Sequence, residues 1–285
     1  MMKKLSISLV VATMNRPTQL EHLFQTLERQ TVRADQIFVV DQSRDDLTRD
    51  VVERYATRLP LTYFHREARG LSCARNVVHD LISGDIVAFP DDDCWYPDDT
   101  IARAVAEFEK DADLGVFTGA SMSEAGVPSQ GRWGTERVVV DKRSVWTSQT
   151  SYTTYYRTSV FKPLGGFDET LGVGGSTPWG AGEETDLLLR ALATGARAVY
   201  DPTFRVFHPE PLAVYDEGAY SRGRKYNRGV GRVLRLHRFP PWFVGYMVAR
   251  PAVGIGVAML KGQLPLAKYR TITAVNRLRG FMDPL

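Results

Sequence analysis

The chain has 285 residues, 44% of them hydrophobic and 24% charged, a globular composition long enough for one large domain plus an appendage. Its two cysteines, Cys73 and Cys94, lack metal-ligand spacing, which argues against a zinc site or a disulfide framework and suits a reducing compartment. The net charge of +3 hides an asymmetry: residues from Gly218 onward carry thirteen Lys/Arg and one acid, Asp283, while the preceding part carries a net −9. Such a basic block points to an anionic surface as partner.

Met1-Met2-Lys3-Lys4 followed by Leu5 to Ala12 superficially resembles a secretory signal, but Ser6, Ser8 and the break at Asn15-Arg16-Pro17 predict a first core strand over Ser6 to Thr13. Thr18 is a candidate N-cap for a helix with Leu20, Leu23, Phe24 and Leu27 on one face. Gln36 to Val40 is a second strand ending in Asp41, Leu47 to Leu59 a second helix, and Leu61 to His65 a third strand. Gly70-Leu71-Ser72 opens a helix to about Ile82. Ile86 to Phe89 is then a buried strand that ends at Pro90 and three carboxylates, Asp91-Asp92-Asp93. Three adjacent acids repel unless something positive sits among them. A divalent cation holding phosphates is one reading, and a solvated acidic turn with Asp98 or Asp99 as N-cap is the other. The alternation predicts a parallel, doubly wound α/β sheet with ligands at the carboxyl ends of its strands.

Beyond the acids, Asp98 to Lys110 reads as a helix and Leu114 to Thr118 as a strand. Ser121 to Arg137 reads as a loop. Val138 to Tyr156 has no clear period, and Tyr152 to Tyr156 is either an edge strand or an acceptor-facing wall. Leu187, Leu188 and Leu192 mark a helix that starts at Glu183-Glu184, where carboxylates also suit the positive end of the helix dipole. Ala198 to Phe207 reads as two short strands, or one strand bent at Asp201-Pro202.

The segments VVATMNRP, VVDQSRDD, GLSCARN, FPDDDCW and WGAGEETDLLLR, in this order and spacing, resemble a family 2 glycosyltransferase of the GT-A fold, over roughly Ser6 to His208. The resemblance implies an inverting, non-processive enzyme that takes a nucleotide-sugar donor and uses Mn2+ or Mg2+. It implies nucleotide binding by Thr13, Asp41, Arg69, Gly70, Arg75 and Asp91. It places Asp91, Asp93 and His208 around the metal, and Asp92 near the donor sugar. An acid such as Asp41 can accept the imide N–H of uracil or thymine, so the donor is expected to carry UDP or dTDP. Inversion needs a general base for the acceptor hydroxyl. The family's Glu-Asp pair is Glu183-Glu184 here, which makes Glu184 the expected base, Glu183 the next candidate and Asp186 the third. Arg75 is either a helix-surface residue or a partner of Asp91, and Trp179 either a sugar-stacking surface or a core residue.

No Gln-x-x-Arg-Trp motif follows, as a polymerising member would have, so single-sugar transfer to a saccharide or lipid-linked acceptor is expected. Trp242 to Leu260 is apolar but interrupted by Arg250-Pro251, and Lys261 to Arg279 mixes apolar and basic residues. Two helices lying on an anionic cytoplasmic leaflet are expected, with a membrane hairpin or a homodimer interface as alternatives. The domains divide as 1–217, catalytic, and 218–285, membrane-attaching. Nucleic acid is a poor partner, because no nucleic-acid motif appears. A protein that has lost turnover and serves as a glycan-binding scaffold is the competing reading. A nucleotidyltransferase would want a glycine-rich basic loop where Asn15-Arg16-Pro17 stands.

Overall fold

The computed structural model describes residues 4–67, 69–129, 131–210 and 214–284. They form two compact units. Of the described residues, the first unit comprises 4–67, 69, 73–129, 131–166 and 187–210, and the second 70–72, 167–186 and 214–284.

The first unit is built on one eight-stranded sheet. Its strands are β1 (Ile7–Thr13), β2 (Gln36–Asp41), β3 (Leu61–His65), β4 (Ile86–Ala88), β5 (Leu114–Met122), β6 (Val138–Val139), β7 (Tyr155–Arg157) and β8 (Arg197–Phe207), in the order β3-β2-β1-β4-β7-β5-β8-β6. β1 runs parallel to β2 and β4, and β2 to β3; β7 enters antiparallel between β4 and β5. Every residue of β1 is buried, as expected of a central strand covered on both faces. The register pairs Thr13 with Asp41, and a bridge pairs Ala12 with Asp91, so the ends of β1 and β2 and the segment beyond β4 form one row. Helices α1 (Pro17–Glu28), α2 (Leu47–Tyr55) and α4 (Thr100–Lys110) bury Leu20, Leu23, Phe24, Val51, Val52, Tyr55, Ile101, Val105 and Phe108 in the core. α3 spans Leu71–Asn76, α5 Thr158–Phe161 and α6 Glu183–Ala193.

Several element boundaries differ from the sequence reading. α1 begins at Pro17, whose fixed φ suits the first helical position, and Arg16 rather than Thr18 is its N-cap. α2 stops at Tyr55, four residues short of Leu59. The helix read from Gly70 to Ile82 is α3 followed by a separate 3-10 turn, His79–Leu81. β5 continues four residues past Thr118. β8 is one strand whose pairing with β5 slips between Gly119 and Ala120, opposite the Asp201-Pro202 bend.

The second unit contains α7 (Glu217–Leu236), α8 (Pro241–Leu260) and α9 (Leu264–Met282). α7 and α9 meet at glycines: a Cβ on Gly231 would lie 2.1 Å from the Arg277 carbonyl oxygen, and one on Gly280 would lie 2.0 Å from that of Arg228. Pro251 sits inside α8 and has no N–H for the carbonyl four residues back. That carbonyl belongs to Met247, and Arg277 Nη1 donates to it at 2.8 Å while Arg277 Nε donates to Asn227 Oδ1 at 3.1 Å. One half-buried arginine therefore ties the three helices together and repairs the break that the proline makes. Many apolar side chains of α8 face outward, Val253, Val257, Met259 and Leu260 among them.

Candidate active site

The site residues of the first unit gather beyond the C-terminal ends of β1 and β4. The sheet register brings them there, because Thr13 ends β1 and the Ala12–Asp91 bridge sets the acidic triplet beside it. The three carboxylates have different sets of partners, with Arg16 shared between Asp92 and Asp93.

Asp91 Oδ1 receives Arg75 Nη2 at 2.6 Å and the Ser151 hydroxyl at 3.2 Å. Arg75 is 1% exposed, so it is a buried partner of Asp91 and not a helix-surface residue. Asp92 accepts from the Thr13 hydroxyl at 2.8 Å and from Arg16 Nη1 at 3.0 Å. Burial pushes its carboxyl up to about 6, against the opposing pull of Arg16 and Thr13. Asp93 accepts from the same Arg16 Nη1 at 2.7 Å through Oδ2, and its Oδ1 lies 3.3 Å from His208 Nε2.

His208 reaches Asp93 because the backbones of Trp95 and Phe207 pair in both directions, each N–H to the other's carbonyl at 3.0 Å. Its ring stacks on Tyr152 at 5.2 Å between centroids. Nδ1 lies 2.9 Å from the Pro209 carbonyl, which can only accept, so Nδ1 carries a proton, while Nε2 faces Asp93 and donates to it when the ring takes a second proton. Burial lowers the pKa of His208, but its hydrogen bond to Asp93 and the charge there outweigh this and raise it. Burial raises Asp93, and His208 and Arg16 together bring it below the ordinary carboxylate value.

The imidazole Nε2 and the Asp93 carboxylate form a mixed N,O donor pair that suits Mn2+. Pro209 orients the ring as an outer partner does at a metal site. Among the described residues no group of three His, Cys, Asp or Glu side chains is disposed to hold a metal ion. Asp91 is turned to Arg75 and Ser151. The residues present fit a cation that takes two protein ligands and completes its shell with phosphate oxygens and water, as Mg2+ and its analogues do with nucleotides.

Asp41 is fully buried. Its Oδ1 accepts from the Ser43 N–H and its Oδ2 from the Tyr63 hydroxyl, each at 2.8 Å. Burial and the bond to Asp41 push the Tyr63 phenol up to about 12. The side chain thus caps the turn after β2. Arg69 is exposed.

In the second unit Gly70 adopts φ 120°, a conformation open to glycine. The three acids of α6's first turn also differ. Asp186 is 4% exposed and its Oδ1 lies 2.8 Å from His237 Nε2. Glu183 is equally buried and lies against Gly172, where an added Cβ would come within 3.3 Å of its carboxylate. Glu184 alone of the three retains partial solvent access. Trp179 donates from Nε1 to Asp283 at 2.6 Å, and the Arg232 guanidinium lies 4.0 Å from its ring centroid, so one ring face is already covered.

Sequence reasoning gave no role to Arg16, Ser151 or His237. Arg16 lies inside the VVATMNRP segment, but its partners are 76 and 77 residues away.

The chain belongs to glycosyltransferase family 2: the family described as Glycosyl transferase family 2 matches residues 8–164, more than half of its length. It is 28% identical over 110 residues to the putative glycosyltransferase EpsH of Bacillus subtilis (strain 168), covering 38% of this chain and 32% of that protein. It is 37% identical over 89 residues to validoxylamine A glucosyltransferase of Streptomyces hygroscopicus subsp. jinggangensis (strain 5008), covering 30% and 21%. The chain thus spans about a third or less of the length of these relatives. Its fold is similar to that of the mannosyltransferase PcManGT from Pyrobaculum calidifontis, solved with GDP-Man and Mn2+: TM-score 0.67 at 17% identity, over 100% of this chain and 89% of that one. S. aureus TarS 1-349 in complex with UDP follows at TM-score 0.60 and 21% identity, over 95% and 89%. The fold is therefore the α/β GT-A type, a mostly parallel sheet flanked by helices.

Proposed function

We propose that this protein is an inverting, metal-dependent glycosyltransferase that moves a single sugar from a UDP- or dTDP-linked donor to a hydroxyl of a lipid-linked or polysaccharide acceptor. The observation that carries this is the Asp93–His208 pair at the carboxyl end of a mostly parallel sheet, beside Asp91 on its buried Arg75. Asp93 and His208 hold the cation, which when bound offsets the charge of the departing nucleoside diphosphate. Arg75 fixes Asp91 toward the ribose and metal region, and Asp92 stays a buried brace whose sugar contact is part of the proposal. Base recognition falls to Thr13, Asp41, Arg69 and Gly70. Asp41 accepts a pyrimidine imide N–H only by sharing oxygens that already serve Ser43 and Tyr63.

Glu184 takes the proton of the acceptor hydroxyl as its oxygen attacks the anomeric carbon from the face opposite the leaving group. Its partial exposure supports this over Glu183 and Asp186, which are shut in. α8 lies on an anionic membrane at its cytoplasmic face. Its length and apolar composition are those of a membrane-seeking helix, its outward residues are apolar, and Arg238 and Lys261 flank it.

The test is hydrolysis and transfer from a panel of nucleotide sugars with Mn2+, in wild type, Asp93→Ala and Glu184→Gln. Asp93→Ala is expected to lose metal-dependent donor binding, and Glu184→Gln to bind donor without transferring. Normal transfer by Glu184→Gln would remove it as the base.

A further inference from the structure

Two arginines serve the acidic triplet, and they are built differently. Arg75 is sealed, with its guanidinium out of contact with solvent. Arg16 keeps 48% of its side chain exposed while bridging Asp92 and Asp93. Both of its contacts run through Nη1, so the Nε and Nη2 edge of the same fork is free to meet a second anion. An ion pair this open to water is held weakly and can be exchanged.

Its backbone, by contrast, is pinned. Asn15 takes the left-handed conformation, φ 57°, which asparagine tolerates better than most residues. The Asn15 N–H donates to Ser43 Oγ at 2.7 Å, Pro17 starts α1, and the Arg16 carbonyl accepts from Leu20 at 3.1 Å. A fixed stem with a solvent-open head suits a side chain that moves between two anchors.

The chemistry of Asp93 supplies the reason to move. Arg16 holds Oδ2, and a divalent cation taken by Asp93 and His208 would share that carboxylate with a guanidinium of like charge. A diphosphate attracts both, and a guanidinium fork matches phosphate oxygens. We propose that Arg16 is an exchangeable counter-ion: it bridges Asp92 and Asp93, and it passes to the donor's diphosphate as Asp93 takes up its cation. Cation and nucleotide are thereby bound together and neither tightly alone. This rests on the reading of Asp93 as a metal ligand given above.

The experiment titrates the full chain with MnCl2, alone and with saturating UDP, and reads free Mn2+ by electron paramagnetic resonance. Circular dichroism checks the fold of each variant. In wild type, UDP is expected to tighten Mn2+ binding by at least about tenfold, within the range of ordinary coupling between sites. Arg16→Met is expected to bind Mn2+ alone about tenfold tighter than wild type and to show a smaller gain with UDP. Arg16→Lys keeps a cation on the stem and is expected to stay close to wild type. Equal Mn2+ affinities of wild type and folded Arg16→Met, without UDP, would overturn the exchange, and so would a lysine variant that behaves as the methionine one. If instead Asp93→Ala keeps wild-type Mn2+ affinity with UDP present, the metal-ligand assignment itself fails.

Discussion

Arg75→Met tests whether the Arg75–Asp91 pair is a structural post of the site. Breaking a buried ion pair from one side costs about 3–5 kcal/mol, because the remaining charge is left uncompensated. Arg75 is wholly buried, but the Asp91 side chain keeps 28% exposure, and Ser151 still donates to it. Water and that hydroxyl take part of the burden, so the expected loss is about 2–3 kcal/mol. Urea unfolding followed by tryptophan fluorescence measures it. Asp91→Asn removes the charge opposite the buried guanidinium and is expected to cost a similar amount. The double variant removes both charges of the pair, so it should fall short of the sum by about 2 kcal/mol. If the two substitutions add to within about 0.5 kcal/mol, the pair is not coupled and is no structural post. A variant with unchanged stability and weakened UDP binding would refute it differently, by making Arg75 a ligand contact.

Glu184→Gln should abolish transfer while Asp186→Asn mainly lowers stability through its bond to His237, a split read from single-turnover rates beside melting curves. Gly280→Ala should destabilise the helical unit by about 1–3 kcal/mol, since the new methyl meets the Arg228 carbonyl and not a movable side chain. Arg277→Met should cost less in a Pro251→Ala background, where residue 251 regains the N–H that Met247's carbonyl lacks; equal costs in the two backgrounds would dismiss the repair. The hydrogen bonds from Arg228 hold the Asp283 carboxyl below its ordinary value. Its stabilising contribution is therefore full above the unfolded pKa of about 4 and fades as pH falls through the folded value, and Asp283→Asn should flatten that acid limb of stability.

The parallel half of the sheet was legible because β1, β2 and β4 are almost wholly buried and read as largely apolar runs. The rest was less so, for physical reasons. β5 runs on through Gly119, Ala120 and Ser121, residues of poor strand propensity. Gly119 is there because the Phe204 carbonyl would lie 2.0 Å from any Cβ, a constraint set by a strand more than eighty residues away. β7 has three residues, and its place between β4 and β5 is a matter of tertiary pairing that no local period encodes. At α6 the composition showed three acids, and only the packing of Gly172 and His237 separates them.

The acidic triplet shows where a sequence argument needs structure to complete it. Three adjacent carboxylates do require positive charge, but Arg75 and Arg16 already supply it from the chain itself. Mutual repulsion is therefore no reason to infer a metal. The reason that survives is narrower. Asp91 receives arginine and serine on Oδ1, and Asp92 receives threonine on one oxygen and the solvent-open Arg16 on the other, whereas Asp93 shares its carboxylate between that arginine and an imidazole nitrogen. Of the three, only Asp93 combines a second good ligand with a partner that can leave. A cation bound by this chain should thus depend on Asp93 and His208 far more than on Asp91, and the ranking of those three substitutions in Mn2+ affinity separates the two ways of reading the triplet.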